Sequence, residues 1–195
     1  TNIQVAGVDE ADTVKTDGTY LYTIVNGTTV YILNAGSNDP QDAQVLSKIT
    51  YENGYLSGIY LSEDGSKLAV LGNRYIRYAY PVEDKSSASS MIAPPYWNSG
   101  ATFIEVYDLT NKASPVLARN FTMSGNYFNS RMIGDYVYAI VTETVYNYGN
   151  EVNLPIIYSK DTAFNIEPSS ISYIRSPDSS YTYTSVISIN ILDST

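Results

Sequence analysis

The 195-residue sequence contains no cysteine and no histidine. The first absence removes disulfides and thiol chemistry, and the two together remove zinc sites built from Cys and His. Serine–histidine and cysteine–histidine nucleophile pairs go with them, which would leave catalysis to Asp, Glu, Tyr or Lys. Basic residues are few: 11 Lys and Arg stand against 20 Asp and Glu, a net charge of −9. That balance offers no basic patch to release counterions, so nucleic acid is not an expected partner, and an anionic membrane surface is disfavoured too. No apolar run approaches the roughly 20 residues of a membrane-spanning helix, so no span is expected in this chain. No long stretch carries helical periodicity either; alternation of period two dominates.

What is present in excess is tyrosine, 20 residues against 4 phenylalanines and 1 tryptophan. Tyrosine suits pleated, half-buried surfaces on which its hydroxyl stays wet. The apolar fraction of 44% is that of a folded globular chain. Two sequons, Asn26-Gly27-Thr28 and Asn120-Phe121-Thr122, are candidate glycosylation sites at Asn26 and Asn120 and fit an exported, secreted or cell-surface glycoprotein. Thr1 rather than methionine stands first, which leaves room for an upstream signal or anchor.

Three segments resemble one another. "TDGTYLYTIV", "TTVYILN" and "AQVLSKITY" are followed by "SEDGSKLAVLG", "ATFIEVYDL" and "SPVLARNFTM", and then by "MIGDYVYAIV" and "TSVISINIL". Each opens on a tight Gly/Asp turn, preceded by a strand: "ADTVK", "GYLSGIYL" or "YFNSRMI". Repeated units of four antiparallel strands a to d are the signature of a β-propeller. The expected fold is all-β: a partial propeller of about three blades, roughly 12–51, 54–124 and 127–195, the last incomplete. A β-sandwich with irregular insertions is the competing architecture. Closure takes about four to eight blades, so the chain is expected to be part of a longer propeller or to be completed by another copy.

The strings Gly7-Val8-Asp9-Glu10-Ala11-Asp12, Val14-Lys15-Thr16-Asp17-Gly18 and Ser130-Arg131-Met132-Ile133-Gly134-Asp135-Tyr136-Val137-Tyr138 carry a family resemblance. The chain is similar to the secreted, predicted β-propeller domain family of archaea and bacteria, distantly related to WD repeats. The resemblance implies export and a propeller, and it brings no established catalytic residues, so none are assigned.

Asp9, Glu10, Asp12 and Asp17 stand close together with Lys15 among them. An EF-type calcium loop needs oxygens at alternate positions, a central glycine and a closing glutamate; the spacing here fails. No cofactor is expected, and a non-EF calcium site using Asp9 and Asp12 remains an open reading. The same two carboxylates could serve a hydrolase or lyase as acid and base. The preferred reading is structural. On an innermost strand spanning 10–17, inward acids need partners, and Arg131 is expected to grip Asp9, Glu10 or Asp12 across the hub by bidentate bonding.

Two long excursions, about 72–101 and 143–183, are expected between strands b and c of the second and third units. Both should leave one face of the propeller. Tyr75, Tyr78, Tyr96 and Trp97 in the first, and Tyr146, Tyr148 and Tyr181 in the second, are the candidate binding residues. Rigid rings with polar tips on a fixed scaffold suit recognition of a surface protein or glycan. A binding module is therefore the expected function, with a carboxylate enzyme or a purely structural surface-array repeat as alternatives.

Overall fold

The structure, a computed structural model, describes residues 5, 7–36, 39–77, 98–148, 151–159, 162–175 and 181–193. These residues form strands and short 3-10 turns, with no α-helix among them and no helix long and apolar enough to cross a membrane. Strand β1 (Val8–Glu10) precedes a first sheet of β2 (Val14–Thr16), β3 (Tyr20–Val25), β4 (Thr29–Asn34) and β5 (Gln44–Thr50), antiparallel in that order. The second sheet continues with β6 (Gly54–Leu61), β7 (Lys67–Arg77), β8 (Asn98–Asp108) and β9 (Val116–Ser124). The third contains β10 (Asn126–Ile133) and β11 (Tyr136–Thr144). After two short hairpins, β12 (Asn147–Tyr148) with β13 (Glu151–Val152) and β14 (Ile156–Ser159) with β15 (Thr162–Asn165), it regains β16 (Thr182–Asn190).

Turn chemistry sets the hairpins. Asn26 and Gly27 both adopt positive φ, 54° and 68°, between β3 and β4; two successive left-handed residues are what a two-residue turn matched to strand twist requires. Asp17 closes the corner before β3 by accepting from the backbone N–H groups of Thr19 and Tyr20.

Period-two alternation then decides the packing. Tyr22, Val30 and Ile32 of the first sheet meet Leu68, Val70 and Phe103 of the second in one buried cluster. On the opposite face of the second sheet, Tyr60, Ala69, Leu71, Ile104 and Val106 meet Val137, Ala139 and Ile189 of the third. The second sheet thus offers one face to its predecessor and the other to its successor, the blade arrangement of a partial propeller.

The excursions are shorter and more ordered than the sequence suggests. β7 and β8 stay paired out to Arg77↔Asn98, because a two-stranded ribbon needs only alternation and backbone pairing, and "NRYIR" keeps both with polar residues. The first excursion therefore shrinks to 78–97. In the second, β14 pairs with β9 through Ile157↔Met123 and Tyr158↔Thr122, so an excursion from the third blade widens the second sheet to six strands. Both still leave from one end. There, Leu56 N–H donates to Gly27 O and Gly125 N–H to Gly100 O, while Asn126 sits opposite Thr142 near the far end of β11.

Candidate functional site

The acidic string does not form one innermost strand. It laces three. β1 pairs antiparallel with β10 of the third sheet, Asp12 bridges Ile59 in β6 of the second, and Val14–Thr16 begin the first sheet as β2. Lys15 is the cation at its centre, 6% exposed. Its Nζ donates to Asp9 Oδ1 and Oδ2 at 2.7 and 2.8 Å, to the Glu10 carbonyl at 2.7 Å and to Asp12 Oδ2 at 3.1 Å. The ammonium also lies 5.6 Å from the Tyr60 ring centre. Tyr60 in turn shares a hydrogen bond with Ser130, which bonds Tyr127.

Arg131 sits opposite Glu10 in the strand pair and meets it at 3.1 Å. The side chains are 42% and 36% exposed, so this is a wet pair and not the buried clamp expected across the hub. Asp9 and Asp12 belong to Lys15 instead, because Lys15 shares their segment and Arg131 lies a strand away. Among the described residues no group of three or more acids forms a metal cage, and the ammonium engages both carboxylate oxygens of Asp9 and Oδ2 of Asp12.

A concave site lies at the end from which the excursions leave. A cavity of about 500 Å³ opens between the first and second sheets, bounded by Thr28, by Glu52 to Tyr55, by Asn73 to Tyr75, and by Gly100 and Asn126. Tyr55 and Tyr75 stand at it 71% and 78% exposed. Asn73 uses its Oδ1 to accept from Tyr127 N–H.

Arg74 is held from beneath. It donates to Glu105 Oε1 at 2.6 Å and stacks over Phe103 at 4.1 Å. The other oxygen of Glu105 accepts from Tyr51 and Tyr107 at 2.9 and 2.8 Å. Burial first, then the charge of Glu105, pushes the Tyr51 phenol far above its ordinary value. Tyr107 is also pushed up by burial, against the bond from Tyr51. Both therefore remain protonated donors, and the buried carboxylate is ion-paired with one guanidinium and accepts from two hydroxyls. A guanidinium has five N–H donors; Arg74 spends one on protein among the described residues, and it lines the cavity.

Of the candidate binding residues, the structure puts Tyr75 at this cavity. Tyr146 and Tyr181 are exposed on the second excursion, where Val145 N–H donates to Tyr181 O. Tyr148 falls in β12. Tyr78, Tyr96 and Trp97 lie outside the described residues. Asn26 and Asn120 are both exposed; the Thr122 hydroxyl of the second sequon is buried and donates to Asn120 Oδ1. Tyr55, Asn73, Tyr51, Tyr107 and Glu105 were not foreseen. Glu105 carried a signal: it is the one charge inside the apolar run "TFIEVY", and a lone acid there needs buried partners.

Successive antiparallel sheets, face-packed and laced along their inner edges, define a β-propeller scaffold with its concavity at the loop end. The model of the β-propeller domain family matches residues 1–195, and the chain belongs to that family. No curated protein and no solved structure gives a match.

Proposed function

We propose that this chain is the binding module of a secreted or cell-surface β-propeller and that it takes a glycan in the cavity between its first two blades. The observation that carries the reading is the pair of exposed rings, Tyr55 and Tyr75, flanking amides and a guanidinium pinned from below. Planar rings stack on the apolar faces of sugars, while Asn and Arg side chains offer donors to hydroxyls at low entropic cost. The Glu105 network holds Arg74 before any ligand arrives, so little ordering remains to be done on binding. Export is supported by the exposed sequons at Asn26 and Asn120.

The test is an immobilised glycan panel followed by titration of any hit. Tyr55→Ala and Tyr75→Ala are each expected to weaken binding by roughly tenfold, the 1.4 kcal/mol scale of a binding hot spot, with thermal stability unchanged because both rings are exposed. A panel without hits, or a hit indifferent to both substitutions, would rule the cavity out as a glycan site and favour a structural repeat.

A further inference from the structure

Among the described residues, the cavity between the first two blades has one cation in its lining, Arg74, and the frame beneath it decides which sugar it can read. The guanidinium lies over the Phe103 ring, which is itself stacked on Tyr51 with 5.2 Å between ring centres. Gly72 makes that seat possible: a Cβ there would stand 2.9 Å from Phe103, so the ring rests against bare backbone. Glu105 holds one Nη at 2.6 Å. A guanidinium held by a ring and a buried carboxylate keeps its planar fork in one orientation, while the side chain stays 27% exposed.

The two groups beside the fork have spent their acceptors. Asn73 Oδ1 is taken by Tyr127 N–H, which leaves the amide nitrogen, a donor, for a ligand. Glu105 accepts from Arg74 through one oxygen and from the Tyr51 and Tyr107 hydroxyls through the other, so two phenols share its charge with the guanidinium. Arg74 spends one donor on protein among the described residues and keeps the rest. A sugar hydroxyl placed against such donors has its lone pairs met and its own proton left without an acceptor, which is costly in a concave site. A carboxylate only accepts, and its two coplanar oxygens match the fork. Glu52, the acid of the lining, is exposed, where solvent weakens its repulsion.

We infer that the cavity selects an acidic sugar, a hexuronate, and that Arg74 is the residue that sets this preference. Its fork receives the sugar carboxylate while the apolar face of the pyranose lies on Tyr55 or Tyr75. This preference rests on the glycan reading of the cavity and narrows it to one class of sugar. Glu52 acts in the opposite sense: a like charge in the lining disfavours chains that carry a carboxylate on every residue, so an isolated uronate among neutral sugars is the fitting ligand.

The test is a glycan panel in matched pairs, each oligosaccharide present with one glucose, galactose or mannose and again with the corresponding uronate in its place. The uronate member of any pair that binds is expected to bind roughly tenfold tighter than its neutral counterpart. Arg74→Lys keeps a charge over Glu105 but loses the fork, and is expected to lose most of that preference while melting as the parent does. The double substitution Arg74→Gln with Glu105→Gln removes both members of the ion pair, leaves no unpaired buried charge, and should bring the uronate down to the neutral sugar. Neutral and acidic members that bind equally overturn the preference and leave the glycan reading standing. A preference that survives both Arg74→Lys and the double substitution also overturns it, since the carboxylate would then be read elsewhere. A panel in which no member binds overturns both readings together.

Discussion

Lys15 holds more of the inner edge than a single charge suggests, because it stands in the first sheet and its bonds end on Asp9 and Glu10 of β1, beside the third sheet, and on Asp12, which bridges the second. Removing one partner of a buried ion pair leaves an uncompensated charge, and Lys15→Met is expected to cost about 3 kcal/mol in denaturant unfolding. Arg131→Met removes a wet pair and is expected to cost under about 1 kcal/mol. Equal effects would mean that the lysine is not the centre of the lacing. Acid should act elsewhere. At the corner before β7, Ser62 hydroxyl and Ser66 N–H donate to Asp64, and these bonds hold its carboxyl at about 2, below the ordinary 3.8. A carboxyl depressed in the folded state contributes stability above its unfolded value and loses it as pH falls toward the folded one. Unfolding midpoints measured between about pH 4 and pH 2 should therefore fall less steeply in Asp64→Asn than in the parent; parallel curves would show that the corner bonds do not favour the ionised form.

Elements in this chain are fixed by what they lie against as much as by their own residues. Gly58 in β6 illustrates this: an added Cβ would stand 2.6 Å from the Ala11 side chain, so the lacing segment passes where only hydrogen fits. Gly58→Val is expected to push residues 8–12 off the inner edges and to raise their amide exchange rates at least tenfold, while the β7–β8 core stays protected. Uniform loss of protection would mean that the substitution unfolds the whole sheet. The four strands of the first unit were legible in the sequence, since Asp-Gly corners and alternating "YLYTIV" and "TVYILN" state them locally. The splitting of "GVDEADTVK" between blades was not, because each short piece pairs with strands distant in sequence. The β14–β15 hairpin was hidden for the same reason: "PIIYS" has strand composition, but its partner β9 belongs to another blade. At the cavity, Tyr75 was legible as an exposed ring near an excursion, whereas Tyr55 looked like one more alternating residue of an inner strand.

For the whole molecule, the decisive quantity is the balance between apolar burial and charge. The chain carries −9, and an excess of one sign destabilises the compact state through self-repulsion. Repulsion between solvated charges is screened over a Debye length that shrinks from about 30 Å at 0.01 M salt to about 3 Å at 1 M. Apolar burial is not weakened by the same change. The urea midpoint of unfolding is therefore expected to rise as NaCl goes from roughly 0.05 to 0.5 M, measured at fixed pH. A neutral glycan titrated over the same range should show little change, since neither of its terms is a long-range charge. If the midpoint instead falls with salt, ion pairs such as Lys15 with Asp9 and Lys67 with Asp108 outweigh the self-repulsion of the chain.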